Sequence, residues 1–227
     1  MPSSSRPAWL AGTGAGAIAL AALIASAALL GTGAPRAERT AHDALAAEAL
    51  VAAYRRSRVA TYTAESIFSR RLRTGREFTT STRVVQRPPD RLVIGPASVD
   101  GEVGGARVGC SRPDGGEWRC RRGGGVDYDA EVQRDTEVLR DLVTGGPGRR
   151  AYRVARRGED CFHLALTVAA MAPPYGREAT MCFDAATGAL LRVEVRRAEG
   201  IDRTTASRLS GAVDPADLQL PGPFQGG

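Results

Sequence analysis

The apolar positions follow three regimes along the chain. From Trp9 to Leu30 they are almost continuous, and no charged side chain occurs between Arg6 and Arg36. About 20 apolar residues are enough to cross a bilayer as a helix. From Ala44 to Arg58 the spacing is helical, through Leu45, Leu50, Val51 and Tyr54. Arg55, Arg56 and Arg58 close that helix, where cations suit its dipole. The period then becomes two. Tyr62, Ala64, Ser66 and Phe68 share one strand face, and Phe78, Thr80, Thr82 and Val84 share the next. Pro88-Pro89-Asp90 ends that strand and turns into Arg91–Ile94.

Residues 95–125 are Gly-rich and contain one short hairpin. Val108-Gly109-Cys110 and Trp118-Arg119-Cys120 flank the turn Pro113-Asp114-Gly115-Gly116. Gly123-Gly124-Gly125 reads as a flexible loop. Helical spacing returns from Asp127 to Val143 through Val132, Val138, Leu139 and Leu142, and stops at Gly145-Gly146-Pro147. Strands follow again: Phe162, Leu164, Leu166 and Val168; Ala179, Met181 and Phe183; Leu191, Val193 and Val195. Asp184-Ala185-Ala186-Thr187-Gly188 is a turn between the last two, and Ile201–Leu209 is a further, more polar strand. Consecutive strands with short turns predict an antiparallel sheet, and one apolar face per strand requires a cover. Two helices are available. The expectation is an α+β domain over 44–221, a curved sheet covered by two helices, with a polar linker at 36–43 and a flexible tail at 222–227.

Residues 1–35 are expected to form a signal or transmembrane segment. Arg6 and Trp9 suit a cytoplasmic start. Ala25-Ser26-Ala27 is an A-x-A-like cleavage site, so both readings stay open: an uncleaved single-pass anchor with the domain extracytoplasmic, or a secreted domain. The cysteines agree with export. Four Cys lie beyond the apolar segment, and none is in a C-x-x-C pair. Cys110 and Cys120 are equidistant from the centre of their turn. Cys161 and Cys182 lie on consecutive strands, both out of phase with the apolar positions. The register therefore predicts Cys110–Cys120 and Cys161–Cys182, with the second pair on the outer face.

Composition narrows the function. All 31 basic residues are Arg, as codon bias in a GC-rich genome would give, and the net charge of +6 is spread along the chain. There is no basic block interleaved with aromatics, so nucleic acid is not the expected partner; weak attraction to an anionic membrane surface fits better. His42 and His163 read as surface histidines. Glu102, Asp114, Glu117 and Asp184 read as turn or loop acids, with Asp184 capping its own turn. Neither G-x-S-x-G, H-E-x-x-H nor a phosphate loop with Lys occurs, and spacings of ten and twenty-one between cysteines are not those of a zinc module. No catalytic residue, metal or cofactor is assigned, and a non-enzyme is expected.

The order of features resembles the LolA/LolB-like lipoprotein-carrier superfamily, in a divergent actinobacterial form. The resemblance rests on A-L-A-A-E-A-L-V-A-A-Y from Ala44, T-Y-T-A-E-S-I-F-S from Thr61, and Q-R-P-P-D-R-L from Gln86. It continues through C-F-H-L-A-L from Cys161, M-C-F-D-A-A-T-G-A-L-L-R-V-E-V from Met181, and S-G-A-V-D-P-A-D-L-Q-L-P from Ser210. It implies a half-open antiparallel β-barrel wrapped around helices, with an apolar cavity for acyl chains of lipoproteins or lipids. Some members instead sense envelope stress by contacting an anti-sigma factor. The expected partners are thus the membrane, through the N-terminal helix, and either a lipid ligand or an envelope protein. Candidate cavity residues are those on the apolar phases: Phe68, Phe78, Val84, Leu92, Ile94, Phe162, Leu164, Leu166, Met181, Phe183, Leu191 and Val193. At 5% aromatic residues, such a cavity would not be aromatic-lined. An anchored chain cannot ferry cargo, so anchoring would favour local binding or sensing.

Overall fold

The computed structural model describes residues 34–145, 150–168 and 173–225. The expected signal or anchor segment lies outside them, apart from the helical backbone at Ala34 and Pro35. No described helix is long and apolar enough to cross a membrane. The described residues from Ala41 onward form one compact unit.

Eleven strands form one antiparallel sheet, curved and not closed into a barrel. They are β1 (Tyr62–Leu72), β2 (Glu77–Arg87), β3 (Asp90–Ile94), β4 (Ser98–Val103), β5 (Ala106–Ser111), β6 (Arg119–Gly125), β7 (Tyr152–Arg156), β8 (Cys161–Leu166), β9 (Glu178–Phe183), β10 (Leu190–Arg196) and β11 (Gly200–Ser210). Their spatial order is β6-β5-β4-β3-β2-β1-β11-β10-β9-β8-β7. Two meanders are joined by the pairing of β1 with β11. With helices α1 (Ala34–Val59) and α2 (Tyr128–Thr144), this is the expected α+β class.

α1 begins earlier than the helical spacing suggested and includes the residues expected as a linker, 36–43. Pro35 suits a first helical turn, and the Ala, Arg and Glu that follow are good helix formers. α2 is capped by Asp127, whose carboxylate accepts from the Ala130 amide at 3.1 Å. The glycines at 123–125 are not a loop: β6 includes them and pairs Gly125 with Ala106. At Gly123 a Cβ would come within 3.2 Å of the Arg107 Cβ, so the bare backbone is what lets β5 and β6 approach there.

The two ends of the sheet bury opposite faces. At the β7–β10 end, α1 and α2 cover what we call the inner face. Leu50, Val51, Leu139 and Val143 pack there on Tyr152, Val154, Phe162, Leu164, Ala179, Met181, Phe183 and Val195. At the β2–β6 end the buried residues Val85, Leu92, Val99, Val108, Cys110 and Cys120 project from the other, outer face, since Val85 pairs with Leu92 and both alternate with inner-facing Val84. The C-terminal segment covers them through Val213, Leu218 and Leu220. Residues 223–225 run beside β6: Phe224 forms a parallel bridge to Cys120, and the Gln225 amide donates to the Cys120 carbonyl at 2.8 Å.

Candidate ligand-binding face

Cross-strand register defines the inner face residue by residue. One row runs Phe162–Met181–Val193–Thr204–Phe68–Thr80, across β8, β9, β10, β11, β1 and β2. The next runs Val154–Leu164–Ala179–Val195–Asp202–Arg70–Phe78. Both rows begin beneath the helices and end in the open. Phe162 is 1% and Met181 5% exposed, whereas Val193 and Phe68 are half-buried and Phe78 is 48% exposed.

The sequence candidates thus divide. Phe162, Leu164, Met181 and Phe183 are packed under α1 and α2, and Leu166 lies at the margin of that core. Val193 also packs at the margin of that core, and Phe68 and Phe78 occupy the uncovered part of the same face. Val84 pairs with Ala64 and belongs to a small core with Tyr62 and Ala189 at the exit of α1. Leu191 sits at a register shift between Leu190 and Arg192 and is half-buried. Leu92 and Ile94 face the opposite side, in the outer core. The single alternation read from sequence could not show this, because nothing in it states which face of β3 is covered.

Arginines border the open end. The Arg70 guanidinium donates to both Asp202 oxygens, at 2.6 and 2.7 Å, and stands 5.9 Å from the Phe68 ring centroid. Those hydrogen bonds hold the Asp202 carboxyl below its ordinary range. Arg76 stands 5.3 Å from the Phe78 ring centroid. On the outer face behind, Glu194 accepts from Arg192, Arg196 and Arg203, at 2.8, 3.1 and 2.9 Å. Burial pushes Glu194 up, but these partners outweigh it and its carboxyl stays low.

A polar row closes the inner face toward β6. Tyr62, Gln86, Arg91, Glu102 and Arg107 are successive cross-strand partners. Glu102 is in β4, not in a turn. The Gln86 amide donates to the carbonyls of Ser57, Arg58 and Ala60, fastening the end of α1. The Tyr128 hydroxyl donates to the Arg58 carbonyl, and Arg58 pairs with Asp135, linking α1 to α2. Gln86 Oε1, Arg91 Nε and Glu102 Oε2 are buried with no partner among the described residues. Burial, then the nearby Glu131 carboxylate, raises the Glu102 carboxyl.

Both disulfides join the pairs expected from register. Cys110–Cys120 lies in the outer core, and Cys161–Cys182 is on the outer face of β8 and β9. Asp184 caps its turn, accepting from the Thr187 amide and hydroxyl, both at 2.7 Å. His163 faces outward beside Glu178, Thr180, Glu194 and Arg196; the side chain of His42 lies outside the described residues. Among the described residues, no group of three His, Cys, Asp or Glu could hold a metal.

No family model and no curated protein matches the chain. Among solved structures it is similar to the MucA/MucB complex of Pseudomonas aeruginosa, at 18% identity over 78% of this chain, with TM-score 0.43. It is also similar to a LolA superfamily protein of Nitrosomonas europaea, at 7% identity over 77% of this chain and 98% of that one, with TM-score 0.33. A third is the Mycobacterium tuberculosis lipoprotein LppX, at 12% identity over 74% and 98%, with TM-score 0.37. The chain spans about three fifths of the MucB-containing chains it matches (60% and 61%). At these identities and scores the likenesses assign no residue a role. The architecture itself, an unclosed antiparallel sheet with two helices on one face, is the one the sequence resemblance implied.

Proposed function

We propose that the folded unit works on the extracytoplasmic side of a membrane, tethered or secreted through residues 1–35, as a binding module for an acyl chain or similar apolar ligand. The observation behind this reading is the row Phe162–Met181–Val193–Thr204–Phe68–Thr80. It gives a continuous, mainly apolar path that starts under two helices and emerges uncovered. An extended chain laid along it buries about 0.8 kcal/mol per CH₂. The end under the helices is already filled, so the ligand lies over Val193 and Phe68 and enters further only if α1 and α2 shift. Two disulfides fit the oxidising compartment. Native mass spectrometry of the purified protein tests the reading. A lipid-mass adduct that Phe68→Asp abolishes is expected; no adduct, and no thermal stabilisation by added fatty acid, would overturn it.

A second reading, an envelope sensing or protein-interaction module, has its own observation. The groove between the helices is about 440 Å³, bordered by Glu48, Val51, Arg55, Arg56, Val59 and Arg140, with Val59 52% exposed. An apolar floor edged by arginines suits an acidic amphipathic peptide. A partner whose capture is lost on Val59→Asp and retained in Phe68→Asp would favour this reading over the first.

A further inference from the structure

The turn between β1 and β2 and the turn between β10 and β11 lie side by side. Arg71 pairs with Ile201, Leu72 pairs with Gly200, and the Arg73 amide donates to the Glu199 carbonyl at 2.9 Å. This close approach depends on Gly200, where a Cβ would stand 2.3 Å from the Arg71 carbonyl oxygen. Residues 70–77 and 196–203 together carry seven arginines against three carboxylates: Glu77, Glu199 and Asp202. Asp202 is engaged by Arg70 and Arg197, at 2.6 and 3.3 Å. Arg196 pairs with Glu194 and Glu178. Glu77 stands opposite Arg71 in register without forming an ion pair. Arg71, Arg73 and Arg76 are exposed and have no carboxylate partner among the described residues. The same hairpin exposes apolar groups on both faces, Phe78 at 48% inside and Ile67 at 49% outside.

Arginines without carboxylate partners, at the tip of a hairpin that exposes apolar side chains on both faces, match a bilayer interface. There the cations meet anionic headgroups and the apolar groups pass between them. A folded acidic protein would complement the charge but would leave one of the two apolar faces uncovered. We propose that these paired turns dock on an anionic lipid surface, with Arg71, Arg73 and Arg76 as the cationic contacts and Phe78 as an apolar one. This deepens the reading above by placing Phe78, on the row next to Phe68 and Thr80 at the open end of the apolar path, against the lipid that would supply an acyl ligand.

The test uses the full chain reconstituted into vesicles of phosphatidylcholine alone or of phosphatidylcholine with phosphatidylglycerol. Amide hydrogen exchange is followed over residues 70–78. Slower exchange there only with phosphatidylglycerol is expected, and it is relieved by high salt. Each arginine should change the affinity roughly fivefold, so Arg71→Glu, Arg73→Glu and Arg76→Glu together should abolish the effect. Phe78→Ala weakens it without altering the charge. Equal exchange in both compositions, or slowing that persists in the triple variant, overturns the proposal. Acyl binding is read separately, by mass, so either idea can fail while the other stands.

Discussion

The Gln86 amide nitrogen donates to three backbone carbonyls where the chain leaves α1, at 2.7, 3.1 and 2.7 Å, and the residue is fully buried. Gln86→Leu keeps the size and removes the donor, leaving three acceptors beneath the helix end. A loss of about 3 kcal/mol is expected, read from urea unfolding. Glu102, on the same row, makes a pH prediction. Its carboxyl is raised by burial, so the folded protein keeps the proton to higher pH than the unfolded chain does. Stability therefore falls as the pH rises out of the ordinary glutamate range. Glu102→Gln should flatten that fall; melting curves that keep the same pH slope in the variant would refute it. Neither role was legible in the sequence. The partners of Gln86 are carbonyls 26 to 29 residues earlier, and Glu102 acquires its environment only when the fold brings Glu131 of α2 near it.

Strands that bury an alternating apolar face announce themselves, as β8, β9 and β10 do. β4 and β7 did not. In β4 the central position is Gly101, where a Cβ would stand 2.0 Å from the Arg91 carbonyl oxygen, so close packing removed the side chain that would have marked the strand. β6 has one buried residue, Cys120. Its hairpin was nevertheless located by its cysteines, because two residues equidistant from a turn must face each other. The two disulfides differ in surroundings: Cys110 and Cys120 are 3% and 0% exposed, whereas Cys161 and Cys182 are half-buried. Under mild reductant Cys161–Cys182 should open first, as alkylation and peptide mass would show. Loops of 10 and 21 residues predict about 3 kcal/mol of stability from each bond. Replacing either pair by serine should therefore cost a similar amount despite the different accessibility.

At the scale of the whole unit, the sheet has a core at each end, on opposite faces, and a thin middle. β11 contains no buried residue, and β1 from Ile67 onward contains none either. An outward Glu194 with its arginines covers one side of that middle, and the other side presents Val193 and Phe68. A strip with little burial opens locally more often than the cores beside it. Amides of β11 and of the distal halves of β1 and β2 should therefore exchange faster than those of β8 and β9 in the free protein. A ligand lying along the row over Val193, Thr204 and Phe68 covers this strip first. Added fatty acid should slow exchange in β10, β11, β1 and β2 while leaving β8 and β9, already sealed by α1 and α2, nearly unchanged. If protection instead appears in α1, α2 and β8, the ligand has displaced the helices and entered the packed end. If it appears only along the helix groove at Val59, the inner face is not the binding surface.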